Sequence, residues 1–390
     1  MQSLNENRRI HSIDAMRGFA LFGILIVNFL SFHSPYTHID PFNYWDKAGD
    51  STVFPIIDVF FQASFYPLFS LLFGYGVMIL KERAELKGVH SPLLLARRFL
   101  FLLIIGLCHA LFIWHGDILV TYAIAGFALI LFIELSGKLL ILLGLLIYII
   151  PNLLLVGILL LTLFIEPDLS AMMTTSVADI VQVYQSGTWL EIVRQNIDDW
   201  LMNNNLATMP ILMISILPLF LIGAGLRKLQ VVEKLEQRRM TAIVLMIVFL
   251  TTGYLIKLLP YFISTNLAMQ YIQDIFGGPL VAVGYSLLIL VLVNSKIGII
   301  TKPLQTIGRL SMTNYLMQSI VATCLFYSYG FGLYGNVSLL TGTMIAIILY
   351  VCQILFSIIW MKYFVYGPFE WCWRWFTYWQ KPSTFKRIQK

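Results

Sequence analysis

Long apolar runs separated by short polar breaks recur from one end of the chain to the other. They fall at 18–32, 55–80, 99–115, 118–134, 139–165, 208–226, 240–259, 277–293, 311–329 and 337–361. About 20 helical residues cross a hydrocarbon core of ~30 Å, and inside lipid each segment must satisfy its own backbone hydrogen bonds. The pattern therefore predicts an all-α polytopic membrane helix bundle of about ten transmembrane helices. The third and fourth runs are short and divide at Gly116. The first follows "NENRRIHSIDAMR", a basic flank like that of a signal peptide, but ends in "VNFLSFHSPY" without a small-x-small cleavage pattern, so it is expected to remain as the first span.

One long stretch is too polar to span. In 166–207, Ile180, Val183, Tyr184, Trp189, Ile192, Val193, Ile197 and Trp200 recur at spacings of three and four, the mark of amphipathic helices with one apolar face. This extracytoplasmic segment is expected to cap the bundle or to act as a lid over an outward site. It separates an N-terminal membrane half, 1–165, from a C-terminal half, 208–390, between which no inverted repeat is visible. The tail "GPFEWCWRWFTYWQKPSTFKR" combines aromatic and basic residues as an interfacial anchor does.

Composition agrees with a membrane solvent: 59% hydrophobic, 12% charged, mean hydropathy +0.81. With ten spans, 23 of the 26 lysines and arginines fall at the termini and alternate loops of one side, whereas Lys47, Arg194 and Lys257 fall on the other. Basic residues stay on the cytoplasmic side, so both termini are expected inside. Twelve of the 20 acidic residues, Asp46 and Asp168 among them, lie outside or near the outer ends. The net charge of +6 thus hides two opposite faces; the basic one matches anionic lipid heads and requires no nucleic acid. Cys108, Cys324, Cys352 and Cys372 suggest no disulfide framework.

Polar groups within spans are costly and mark functional surfaces. His109 lies in "GLCHALFIWHGDIL", 11 residues after Arg98 and ~16 Å on by helix rise, which places it near mid-membrane. Asp117 falls at the outer boundary. On one continuous helix it stands ~80° round from His109, so a direct pair is not expected, and His115 points elsewhere. In the first span Asp14, Arg17, Leu21, Ile24 and Asn28 form a stripe that does not suit lipid; Asp14 and Arg17 can pair at i,i+3. Span nine opens with "GRLSMTNYLMQS", where Ser311, Asn314 and Gln318 share a face suited to interhelical hydrogen bonds. Asp58 ends span two on the outer side and is expected to face the same cavity as the outer histidines. His33 and His38 lie near Asp40, Asp46 and Asp50, but their spacing matches no standard metal site. The chain carries no P-loop, GxSxG, HExxH or CxxC motif.

The stretch "IDAMRGFALFGILIVN" at 13–28 resembles the first helix of a superfamily of membrane acyltransferases that includes the OafA-like O-acyltransferases and heparan-alpha-glucosaminide N-acetyltransferase. The whole chain more closely resembles the YeiB-like family, on "LLFGYG" at 71–76, "ARRFLFLLIIGLCHALFIWHGDIL" at 96–119, "GRLSMTNYLMQS" at 308–319 and "YGPFEWCWRWFTY" at 366–378. The resemblance implies a multi-pass protein of a bacterial cytoplasmic membrane that takes an acyl group from cytoplasmic acyl-CoA and gives it to an outer sugar, cell-envelope glycan or small-molecule acceptor, without a metal. In the OafA-like enzymes the position of Asn28 is the catalytic histidine. The N-acetyltransferase carries asparagine there and draws its histidine from the next outer loop, which points to His38.

Acyl transfer needs a base for the acceptor's proton, a role suited to histidine, and donors for the thioester oxygen. On this reading His109 or His38 is the base. Asn28, Asn314 and Gln318 face substrate, Asp117 and Asp58 orient the acceptor, and Arg17, Arg97, Arg98 and Arg309 hold the CoA phosphates. The alternative is a transporter or exporter in which the same residues line a path.

Overall fold

The computed structural model describes residues 10–45, 49–165 and 176–385. Arg8, Arg9, Asp46, Lys47, Glu166, Asp168, Lys386, Arg387 and Lys390, which entered the charge pattern above, lie outside the described residues. Eight helices among the described residues are long and apolar enough to cross a membrane. All ten apolar runs coincide with helices; two of them, Leu119–Ile130 and Ser311–Phe326, are not among those eight. The chain is a multi-pass, all-α membrane protein.

The principal helices are α1 (His11–His33), α2 (Asp50–Phe60), α3 (Phe65–Glu85), α4 (Ser91–Phe112), α5 (Leu119–Ile130), α6 (Gly137–Ile165), α7 (Val177–Ser186), α8 (Trp189–Asn204), α9 (Met209–Lys228), α10 (Arg239–Lys257), α11 (Gly278–Val293), α12 (Lys302–Arg309), α13 (Ser311–Phe326), α14 (Leu339–Tyr363) and α15 (Pro368–Tyr378). The stripe of polar residues on α1 has its explanation here, because α1 is a central helix packed on α3, α12, α13 and α14. Helix α9, from the C-terminal half, packs on α3 and α6 of the N-terminal half, so the two halves interlock. Lipid is as apolar as leucine, so helices in a membrane associate through close backbone approach and fit. A Cβ on Gly308 would lie 1.9 Å from the carbonyl oxygen of Asp14, and one on Gly18 would lie 2.0 Å from that of Leu304. These two glycines let α12 touch α1 backbone to backbone, which brings Arg309 to the level of Arg17.

The outward faces of α6 and α14, including Leu145, Ile149, Leu153, Ile348, Val351 and Leu355, are exposed apolar surface of the kind a bilayer covers. The polar segment forms α7 and α8, which bury Ile180, Tyr184, Ile192 and Val193 against the acidic end of the bundle. Trp189, expected on the apolar face, is instead half exposed and stacks on Phe112.

Candidate functional site

The stripe on α1 runs along two cavities that meet end to end. Asp14, Arg17, Leu21 and Ile24 line the first, a pocket of about 200 Å³ at the basic end. Ile24, Val27, Asn28 and Ser31 line the second, of about 650 Å³ at the acidic end. Ile24, Ile118 and Tyr315 border both, so one layer of side chains separates the two spaces.

The basic-end pocket gathers Arg17, Arg98, Arg309 and Arg374 with Asp14 and Glu370, and continues into a wider cleft of about 640 Å³ lined by seven basic and three acidic side chains. Glu370 is fixed in place there, its carboxylate accepting the backbone N–H groups of Met312 and Thr313 at 2.8 and 3.0 Å. It thereby caps the orphan donors at the start of α13, where the helix dipole favours an anion. Burial pushes its carboxyl above the usual carboxylate range, a shift those hydrogen bonds oppose. The guanidinium of Arg98 lies 3.5 Å from the ring centroid of Trp373, and that of Arg374 4.3 Å from that of Tyr366, stacking that orients the cations and leaves their edges for hydrogen bonding. Arg17 pairs with Asp14 at 3.7 Å, the i,i+3 contact expected from the sequence. Arg97 stands apart in a separate groove, against Trp379.

At the junction of the cavities the sequence expectation is overturned. Helix α4 ends at Phe112, so His109 sits in its last turn, nearer the acidic end than mid-span. The chain then reverses through 113–118. A Cβ on Gly106 would stand 2.7 Å from the amide nitrogen of Val120, and its absence allows α5 to return against α4. Asp117 is thereby brought back onto His109: Nδ1 to Oδ1 is 2.8 Å, with both side chains buried. The ~80° separation held only for one unbroken helix. Oδ2 of Asp117 accepts the N–H of Val120 at 2.8 Å, which fixes the carboxylate at the start of α5. Nε2 of His109 is buried without a hydrogen-bond partner among the described residues. Asp117 and Tyr315 line the acidic-end cavity; His109 lies directly behind them, its ring 5.4 Å from that of Tyr315.

The remaining predicted residues separate clearly. Asn28 lines the acidic-end cavity. His38 bonds through Nε2 to Oδ1 of Asp199 on α8, at 2.9 Å. Asp58 does not line that cavity; it is buried against Tyr261 and Gln273, whose side chains donate to it. Asn314 donates to the carbonyls of Ile307 and Leu310 and to Ser357, and Gln318 to Gln353 at 3.0 Å. These two join helices and line neither of the two cavities.

Several residues of the site were missed. Arg374 and Glu370 belong to the aromatic tail, which docks through α15 on α4 and so builds a wall of the basic-end pocket. Tyr315 sits between Asn314 and Gln318 in the sequence, hidden by the more polar neighbours. Asp199, in "NIDDW", carries no local signal beyond its acidity.

A family model described as "Protein of unknown function (DUF418)" matches residues 226–380. The chain is 32% identical to "Uncharacterized protein YxaH" of Bacillus subtilis (strain 168), with 97% of each chain covered. It is 29% identical to "Uncharacterized protein YeiB" of Escherichia coli (strain K12), covering 93% of this chain and 94% of the relative. Matched from end to end at this level of identity, the chain belongs to the YeiB-like family.

Proposed function

We propose that the protein transfers an acyl group from acyl-CoA, held at the basic end, to a hydroxyl or amine acceptor that enters the acidic-end cavity, and that it works in a bacterial cytoplasmic membrane. The observation that carries this reading is the meeting of the two cavities at Tyr315 with a buried His109–Asp117 pair behind them. A polyphosphorylated donor suits a cleft with four arginines at its apex, since charge-assisted guanidinium–phosphate bonds are strong and geometrically specific. An acceptor hydroxyl suits the other side, where amides, tyrosines and two carboxylates, Asp117 and Asp274, line the wall without a lysine or arginine.

In this reading Asp117 holds the proton of His109 on Nδ1, leaving the Nε2 lone pair to receive the acceptor's proton. That arrangement gives a histidine base an orienting carboxylate. Tyr315 and Ile118 move aside when donor and acceptor meet, and Asn28 donates to the acyl carbonyl oxygen as charge gathers on it. The base assignment therefore favours His109 over His38, whose ring is tied to Asp199 at the rim.

The same single-layer partition also favours a second reading, an alternating-access carrier in which His109 relays protons. Incubation of purified protein with acetyl-labelled CoA and cell-envelope extract separates the two. Transfer predicts labelled acceptor and free CoA, both lost in His109→Ala. A carrier predicts flux across sealed vesicles with the CoA thioester intact, and that outcome would displace the proposal.

A further inference from the structure

Ser31 and His115, neither of them used above, both line the acidic-end cavity and face one another, with Oγ of Ser31 3.2 Å from Nε2 of His115. The other ring nitrogen, Nδ1, lies 3.2 Å from the hydroxyl of Tyr184, which donates to Oδ2 of Asp199 at 2.7 Å. That same carboxylate oxygen is 3.6 Å from Nδ1. Proton directions follow from this order. Tyr184 gives its proton to Asp199, so its oxygen accepts from Nδ1–H, and Nε2 is left with a lone pair toward the Ser31 hydroxyl. Four elements supply the parts: α1 gives Ser31, the 113–118 turn gives His115, α7 gives Tyr184 and α8 gives Asp199.

The surroundings hold each group in the protonation state this needs. Burial lowers the His115 imidazole below its ordinary value, against the pull of Asp199, and so keeps the ring neutral. Burial alone would raise Asp199. The hydrogen bonds from His38, Tyr184 and Gln195 oppose it, and the carboxylate is held below its ordinary range. Burial raises Tyr184 far above the usual phenol range, so it remains a donor.

We propose that Ser31 is a nucleophile that carries the acyl group as an ester, with His115 as its base and Asp199 as the counter-charge of the imidazolium. The inference takes its donor from the acyl-transfer reading; the nucleophile itself is testable without it. In the first step Oγ of Ser31 bonds to the acyl carbon as the carbon–sulfur bond to coenzyme A breaks. The serine proton passes to Nε2 of His115 and stays there, while coenzyme A leaves as the thiolate and takes its proton from water. In the second step an acceptor oxygen or nitrogen bonds to the acyl carbon and gives its proton to Nε2 of His109, while Oγ leaves and takes back the proton held on His115. Ser31 stands seven residues beyond Ile24, which is about 10 Å of helix rise and nearly the same face. An acyl group on Ser31 has therefore crossed from the partition into the acidic-end cavity. Asn28, one turn nearer the partition, is the amide placed to donate to the ester carbonyl. This splits one difficult transfer into two steps, as covalent catalysis does elsewhere.

The test uses the full-length protein in detergent, treated with a fluorophosphonate probe and separately with p-nitrophenyl acetate, followed by peptide mass spectrometry. Ser31 should be phosphonylated and acetylated in the wild type and unmodified in Ser31→Ala. His115→Gln should slow labelling by ~100-fold or more, the range of a lost general base, while a merely structural Ser31–His115 bond would give no adduct at all. Ser31→Cys keeps a nucleophile at the site and should still form the acetyl adduct, which distinguishes loss of chemistry from loss of fold. An unlabelled Ser31 in folded wild-type protein overturns the inference whatever happens to acetyl-CoA, as does a Ser31→Ala variant that transfers acetyl at the wild-type rate. Labelled Ser31 in a protein that neither binds nor cleaves acetyl-CoA upholds the nucleophile and removes the donor assignment.

Discussion

Replacing Asp117 by asparagine changes one atom and one charge at the junction of the two cavities. The carboxylate now serves two donors, Nδ1–H of His109 and the N–H of Val120, each at 2.8 Å. An amide has one oxygen, so it can serve only one of them. If the oxygen keeps Val120, the amide NH₂ faces Nδ1 and forces the imidazole proton onto Nε2, where the base needs its lone pair. Stability should fall by about 1–3 kcal/mol, the cost of one compromised buried hydrogen bond, and the variant should still fold. Transfer should fall much further. Loss of a correctly poised general base is worth ~10²–10⁴ in rate, or about 3–5 kcal/mol at ~1.4 kcal/mol per decade. The assay is acetyl release from labelled acetyl-CoA by wild type and Asp117→Asn, with thermal unfolding of both in the same detergent. A folded variant within twofold of wild-type turnover would refute the role assigned to the pair.

Other consequences follow from the same geometry. Arg98→Gln combined with Arg374→Gln should raise KM for acetyl-CoA by ~10²–10⁴-fold, as charged hydrogen bonds are worth ~1.5–3 kcal/mol each and ~1.4 kcal/mol is a decade, with kcat changed little; steady-state kinetics decide, and an unchanged KM removes the phosphate site. Tyr315→Ala opens the partition, so acetyl-CoA hydrolysis without acceptor should rise, measured as free thiol; no rise would mean that Tyr315 does not separate donor from water. Gly308→Ala drives a methyl against the Asp14 carbonyl oxygen and should destabilise by at least ~1–3 kcal/mol, whereas Gly157→Ala, with nothing within 4 Å, should not; thermal midpoints compare them. His115 is depressed by burial, and the groups facing it are Ser31, Tyr184 and Asp199, the last shared with His38. Ser31 labelling should therefore be half-maximal below pH 6.5, the ordinary histidine value, and decline further toward acid as the ring gains its proton; a half-maximal point above pH 6.5 would contradict this.

The helices could be read from the sequence because the bilayer sets a minimum apolar length, and no competing signal obscures runs such as 337–361. The stripe on α1 was equally legible, since residues such as Arg17 and Asn28 on one face of a span must meet something other than lipid. The interhelical use of Asn314 and Gln318 also followed from their types and spacing. What could not be read was the reversal at 113–118. Helical arithmetic separates His109 from Asp117, and only the close approach of α4 and α5 at Gly106 reunites them. Arg374 and Glu370 were hidden for a related reason: a tail rich in tryptophan suits a membrane interface, and nothing local reveals that it docks on Arg98. The Ser31–His115–Asp199 group draws on positions spread over 169 residues, brought together by folding of the polar segment onto the acidic end.

The decisive measurement is a time course of acetyl transfer from labelled acetyl-CoA, supplied at the basic face of sealed vesicles that contain the protein and an enclosed cell-envelope extract. Labelled acceptor should accumulate on the opposite side in step with free CoA, and replacement of His109 by alanine should abolish both. Wild-type vesicles that leave the thioester intact, or an alanine variant that keeps pace with the wild type, would contradict acyl transfer through the His109–Asp117 pair.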